Sequence, residues 1–158
     1  MTAPLRAVRG AVTTTGRPRL HFRIELPAGM ALINANHRMH NRQRAQLTRQ
    51  LRDAATLACR ADRTVTRAIR AARGGPVFDL AWIVGVLHPS TRGRCDPANW
   101  YGSFKAAVDG LVNAGLLEDD DDQHVIGPDM RRGPVVRGGQ IVLHVFQAFP
   151  DDHWQALR

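Results

Sequence analysis

Lysine is all but missing from this chain: 21 of its 22 basic residues are arginine, and Lys105 is the exception. Cysteine is nearly as scarce. Cys59 and Cys95 are too few for a disulfide scaffold or a cysteine-based zinc site, so a reducing compartment is expected. Aromatic residues make up only 6% of the chain. No run approaches the ~18 apolar residues of a membrane span, and the longest apolar-leaning stretch, Val77 to Leu87, is broken by Asp79. Met1 to Arg6 lacks the apolar core of a secretory signal. These absences lead to the expectation of a soluble, cytoplasmic protein with no membrane partner. The 158 residues, 44% of them hydrophobic, suit one domain burying roughly two thirds of its unfolded surface.

What the chain has in excess is unevenly placed. Residues 1 to 95 hold 17 Arg against Glu25, Asp53, Asp62 and Asp79, a balance of +13. Residues 96 to 158 hold five basic residues against ten acids, a balance of −5. One part suits a polyanion while the other gathers carboxylates, the division a metal-dependent nuclease requires. The plainer alternative is an arginine-rich solvated surface.

Residues 1 to 18 read as a basic, flexible arm, residues 19 to 149 as the folded domain, and residues 150 to 158 as a tail. Alternation of Leu20, Phe22, Ile24 and Leu26 with Arg19, His21, Arg23 and Glu25 predicts a half-buried strand. A helix from about Asn41 to Arg60 follows, its apolar stripe running through Leu47, Leu51, Ala55 and Cys59. Thr64 to Arg73 is a weaker helix. Val77 to Leu87 reads as the central strand. A further helix has its clearest part from Ser103 to Ala114 and stops at Gly115. A short strand near His124 to Ile126, a turn-rich segment from Gly127 to Gly139 and a last strand from Gln140 to Phe149 complete the order. The fold class is α/β, a single domain with a mixed β-sheet and packed helices.

The chemistry concentrates between Arg94 and Asp122. Lys105 and Asp109 lie four residues apart, on one helical face. Gly115 lets the chain turn, which would return Asp119, Asp120, Asp121 and Asp122 towards Asp96 and Asn99. Carboxylates from two segments would then share Mg²⁺, a hard cation suited to oxygen ligands, with Lys105 at a phosphate oxygen or the attacking water. Each residue also has an ordinary role available: Asp96-Pro97 as a helix cap, Lys105 and Asp109 as a surface bridge, and the four aspartates as a solvated loop.

Taken together these residues resemble the RusA family of Holliday-junction endonucleases. That pattern opens with Asp-x-Asp-Asn and continues with a lysine, an acid on the same helix, a glycine ending it, and an Asp-Asp pair before a strand. Asp96, Asn99, Lys105, Asp109, Gly115 and Asp119-Asp120 match it. The specific part of the resemblance spans residues 94 to 126. It implies a RusA-like fold and a homodimer that binds four-way or other branched DNA in recombination or repair. With Mg²⁺, or Mn²⁺ in its place, the dimer would cut two opposed strands symmetrically. The implied catalytic residues are Asp96, Lys105 and Asp120, and the metal ligands Asp96, Asp119 and Asp120, supported by Asn99 and Asp109. Many relatives are encoded by phages or prophages. One position departs: Ala98 stands where the pattern has its second acid, and a methyl group cannot ligate a cation. Asp121 or Asp122 would have to compensate, or water complete the shell. A junction-binding protein with weak or absent cleavage is therefore the alternative.

Arg38, Arg42 and Arg44, at the entrance to a helix, are expected to contact the DNA backbone. Arg92, Arg94, Arg131 and Arg132 are expected to flank it. Trp100 and Tyr101 either stack on an unpaired base or pack the helix start against the sheet.

Overall fold

The computed structural model describes residues 19–152; the arm at residues 1–18 and the end of the tail at residues 153–158 lie outside the described residues. Four strands form one mixed sheet in the order β1-β4-β2-β3, comprising β1 (His21–Glu25), β2 (Ala81–His88), β3 (Val125–Arg132) and β4 (Gln140–Gln147). β4 pairs antiparallel with β1 and β2, whereas β3 runs parallel to β2. The helices are α1 (Asn41–Ala61), α2 (Arg63–Ala71) and α3 (Tyr101–Ala114), the last preceded by a 3-10 turn at Pro97–Trp100. The sheet is mixed and the helices pack on it, as the alternation and periodicity anticipate.

Alternation divides the sheet into two faces. Phe22 and Ile24 of β1, Ile83 and Leu87 of β2, and Ile141, Leu143 and Val145 of β4 are buried and join one core with Leu51, Ala55 and Cys59 of α1 and Phe104, Ala107 and Leu111 of α3. The opposite face presents His21, Arg23, Trp82, Val84, His144 and Phe146. There His21 stacks on Phe146 at 4.2 Å between ring centroids, and Trp82 Nε1 donates to Asp129 Oδ2 at 2.8 Å. Burial lowers the pKa of both His21 and His144.

α1 and α3 cross closely at Gly110. An added Cβ there would stand 2.4 Å from the Arg52 carbonyl oxygen and 2.6 Å from the Ala55 Cβ. Thr56 Oγ1 donates across the crossing to the Gly110 carbonyl at 3.1 Å. Gly115 ends α3 in the left-handed region at φ 91°, a conformation glycine adopts without a Cβ penalty.

Three element boundaries differ from the sequence reading. The second strand starts at Ala81, not Val77, because the chain at Val77 and Phe78 donates to the carbonyls of Gly115 and Leu116 beyond α3. The stretch from Gly127, read as turn-rich, continues β3 to Arg132, with a register shift against β2 between Trp82 and Val84 that absorbs the Gly127-Pro128 step. The last strand ends at Gln147, and Phe149 N–H donates instead to the Asp152 carboxylate at 2.7 Å. Cys59 and Cys95 are both free thiols, and burial pushes the Cys59 pKa up to about 12. No helix among the described residues is long and apolar enough to cross a membrane.

Candidate functional site

The strand directions collect the basic segments at one end of the sheet. β1, β2 and β3 are mutually parallel, so Glu25, His88 and Arg132 finish at the same end. From it leave the connection to α1, the loop 89–95 and the chain after β3. Segments 26–52, 88–95 and 130–142, which begin or end there, contain ten arginines, against the acids Glu25 and Asp96 at their borders. Arg38, Arg42, Arg44, Arg92, Arg94, Arg131 and Arg132 are all exposed.

The start of α1 strengthens this basic end. Residues 41–46 are exposed on every side, so the first turns of the helix stand clear of the core. His40 caps α1 by accepting from Arg42 N–H at 3.3 Å, and no acid lies in the first turn. Arginines at the positive end of a helix dipole repel it unless an anion sits between them. The opposite end of the molecule, with the α1–α2 junction and the loop before β3, carries both signs of charge.

Lys105 stands at the second focus. It projects from α3, pairs with Asp109 Oδ1 at 3.1 Å and forms an ion pair with Asp120 from the loop before β3. Asp120 is 20% exposed and Lys105 44%, so this junction is half-shielded from water. The lysine therefore joins two segments that the sequence motif links. Asn99 fixes the neighbouring chain through its backbone carbonyl, which accepts from Ala35 N–H at 2.7 Å.

The expected Mg²⁺ or Mn²⁺ site does not form. Among the described residues no three His, Cys, Asp or Glu side chains stand together as a metal-ligand group. Each carboxylate is instead engaged by its own local chain or by Lys105. Asp96, after β2, is exposed and caps the 3-10 turn by accepting from Ala98 N–H at 3.1 Å. Asp119 accepts from Asp120 N–H at 2.7 Å. Asp121 accepts from the N–H groups of Gln123 and His124 and meets His124 Nδ1 at 2.5 Å. Asp120 faces Lys105. The assignment of Asp96, Asp119 and Asp120 as ligands, with Asp121 and Asp122 as substitutes, is thus replaced by capping, turn and ion-pair contacts.

His124 and Asp121 carry paired, opposite shifts in the acidic loop. The hydrogen bond of His124 with Asp121, helped by the charges of Asp121, Glu118 and Asp119, raises the His124 pKa above the ordinary 6.5. The same hydrogen bond holds the Asp121 carboxyl below its usual value.

A cleft of about 310 Å³ opens at the basic end, lined by Asn34, His37, His88, Arg94 and Trp100 among others. Asn34 was not legible as a site residue. It lies in an unpatterned connection, and only the tertiary contacts of that segment bury it. Trp100 packs partly against the core, as one of the two readings expected, and also lines the cleft. Tyr101 is half-exposed. No protein-family model matches the chain, and a search of curated proteins finds no match either.

Proposed function

We propose that this chain binds branched DNA, with the four-way junction as the substrate class, through the end of the sheet where β1, β2 and β3 finish. One observation carries the reading: seven exposed arginines from three separate segments leave one end of the sheet, where the acids Glu25 and Asp96 are taken up by Arg23 and by capping of the 3-10 turn. Guanidinium groups spread over loops and a projecting helix suit several phosphates on diverging strands better than one small anion. Binding of this kind releases counterions, so affinity should fall steeply as salt rises. The RusA resemblance of residues 94 to 126 supports the same substrate and adds a RusA-like fold and a homodimer. A substrate with two equivalent faces is met most simply by a C2 pair.

A second reading, that the protein also cuts the junction, is favoured by Lys105 meeting both Asp109 and Asp120. Those are three of the residues to which the RusA resemblance assigns catalytic or supporting roles. Lysine would stabilise charge on a phosphate oxygen, and the aspartates would hold its ammonium in place.

Fluorescence anisotropy with a labelled synthetic four-way junction and a linear duplex of the same length tests the first reading. Tighter binding to the junction, weakened in the Arg38→Gln, Arg42→Gln, Arg44→Gln triple variant, is expected. No binding to either DNA at low salt would refute it. Gel analysis of the same junction for paired nicks tests the second.

A further inference from the structure

Asn34 is 7% exposed, yet among the described residues only its side-chain oxygen has a hydrogen-bond partner. Its Oδ1 accepts from Asn36 N–H at 2.8 Å, which fixes the carboxamide with the nitrogen on the other side. That NH2 group donates to none of the described residues, and Asn34 lines the cleft. The nitrogen is not one of the fully buried polar atoms that lack partners, so it opens onto the cleft, where water or a ligand can accept from it.

The cleft wall around Asn34 is rigid. Ile33 N–H donates to Ser103 Oγ at 2.7 Å, and the same hydroxyl donates back to the Ile33 carbonyl at 3.1 Å. Ala35 N–H is held by the Asn99 carbonyl at 2.7 Å. The donor is therefore positioned by α3 and its preceding turn. Around it the cleft offers apolar surface from Met30, Leu87 and Trp100, and cationic or polar surface from Arg94 and His88. No carboxylate lines it. Apolar walls, one fixed donor pair and an arginine at the rim match a planar heterocycle carrying carbonyl or ring-nitrogen acceptors and joined to a phosphate.

We propose that this cleft takes one unstacked nucleotide of the bound DNA. Its base lies against Trp100 and accepts from the Asn34 carboxamide, and its phosphate meets Arg94. The inference rests on the DNA-binding reading and adds a site that reads a base edge. A branched substrate supplies such a nucleotide at low cost, since bases at a branch point have already lost stacking partners.

The test uses the full chain labelled with ¹⁵N and the oligonucleotide (dT)5 as probe, with inorganic phosphate as the control. Titration with (dT)5 should move both the Asn34 side-chain NH2 and the Trp100 indole N–H resonances, whereas phosphate should move neither. Asn34→Asp keeps the oxygen that accepts from Asn36 and removes the donors; it should weaken (dT)5 binding at least about fivefold, the loss of a base-edge contact. The wild-type titration reads the site even if this variant folds poorly. Junction binding that leaves the Asn34 and Trp100 resonances unmoved would overturn the cleft assignment alone, as would Asn34→Asp binding (dT)5 like wild type. Absence of all DNA binding at low salt would overturn the functional reading beneath it.

Discussion

Replacing Gly110 by alanine should destabilise the protein although alanine is the better helix former. In an exposed helix interior the change would contribute about 1 kcal/mol of stability. Here the new methyl would lie 2.4 Å from the Arg52 carbonyl oxygen and 2.6 Å from the Ala55 Cβ, with Thr56 N at 3.1 Å. Two of the three atoms are backbone of α1, and the third is a Cβ with no freedom to rotate away. Relief therefore requires α1 and α3 to separate by about 1 Å, enough to forfeit a quarter to a half of the dispersion energy of facing atoms. The contact is rich in fully buried residues, among them Leu51, Ala55, Ala107 and Leu111. Separation also stretches the Thr56 to Gly110 hydrogen bond, which contributes about 1 kcal/mol. Overpacking of this kind costs about 1–3 kcal/mol, and with the lost bond it outweighs the propensity gain by roughly 2 kcal/mol. For a urea m-value of about 2 kcal/mol/M, the unfolding midpoint should fall by about 1 M at constant slope. A midpoint equal to or above wild type would show that the crossing is not as tight as the geometry requires.

Three further outcomes test the site. Lys105→Met and Asp120→Asn should each reduce junction nicking at least about tenfold while leaving junction affinity within about twofold, measured by single-turnover cleavage beside anisotropy; equal losses in both would make Lys105 a general phosphate anchor. Arg38→Gln, Arg42→Gln and Arg44→Gln should each lower the slope of log affinity against log salt by about one unit, and unchanged slopes at all three would move the DNA face elsewhere. The His124 ring, followed by NMR, should titrate above 6.5 and return towards that value in Asp121→Asn. Because the folded pKa of His124 is raised and that of Asp121 lowered, their contact is strongest between the two. It weakens as pH rises through the His124 value or falls through the Asp121 value.

Local signals made the helices and the edge strand legible. The stripe from Leu47 to Cys59 marks α1 to within a residue of its end, and Gly115 marks the stop of α3 because a left-handed residue must follow that helix. Alternation from Phe22 to Leu26 identifies β1 for the same reason, since one face meets the core. β3 was largely hidden: glycine and proline at Gly127-Pro128 read as a turn, and only pairing with β2 across a register shift keeps them in a strand. The carboxylate cluster failed for a different reason. Spacing along the chain suggested convergence, but short-range partners take the carboxylates first: Asp96 caps the 3-10 turn, Asp119 and Asp121 bond the turns beside them, and Asp120 pairs with Lys105. Asn34 left no trace in the sequence because its neighbours Ile33 and Ala35 are held by Ser103 and Asn99, some 65 to 70 residues away.

The place of β4 between β1 and β2 has a consequence for how the molecule comes into being. During synthesis the arginine-bearing connection and helix emerge long before the strand that joins β1 to the rest of the sheet. Until Gln140–Gln147 is available, β1 has no pairing partner and Phe22 and Ile24 have no strand beside them. The arginines of residues 26–52 are therefore made well before the sheet whose end they flank is complete. Insertion of one late strand between two early ones is a non-local closure, slow by topology. On the proposed function, selective recognition would arrive only with that closure, and shape, more than charge, is what the newly made chain would wait for.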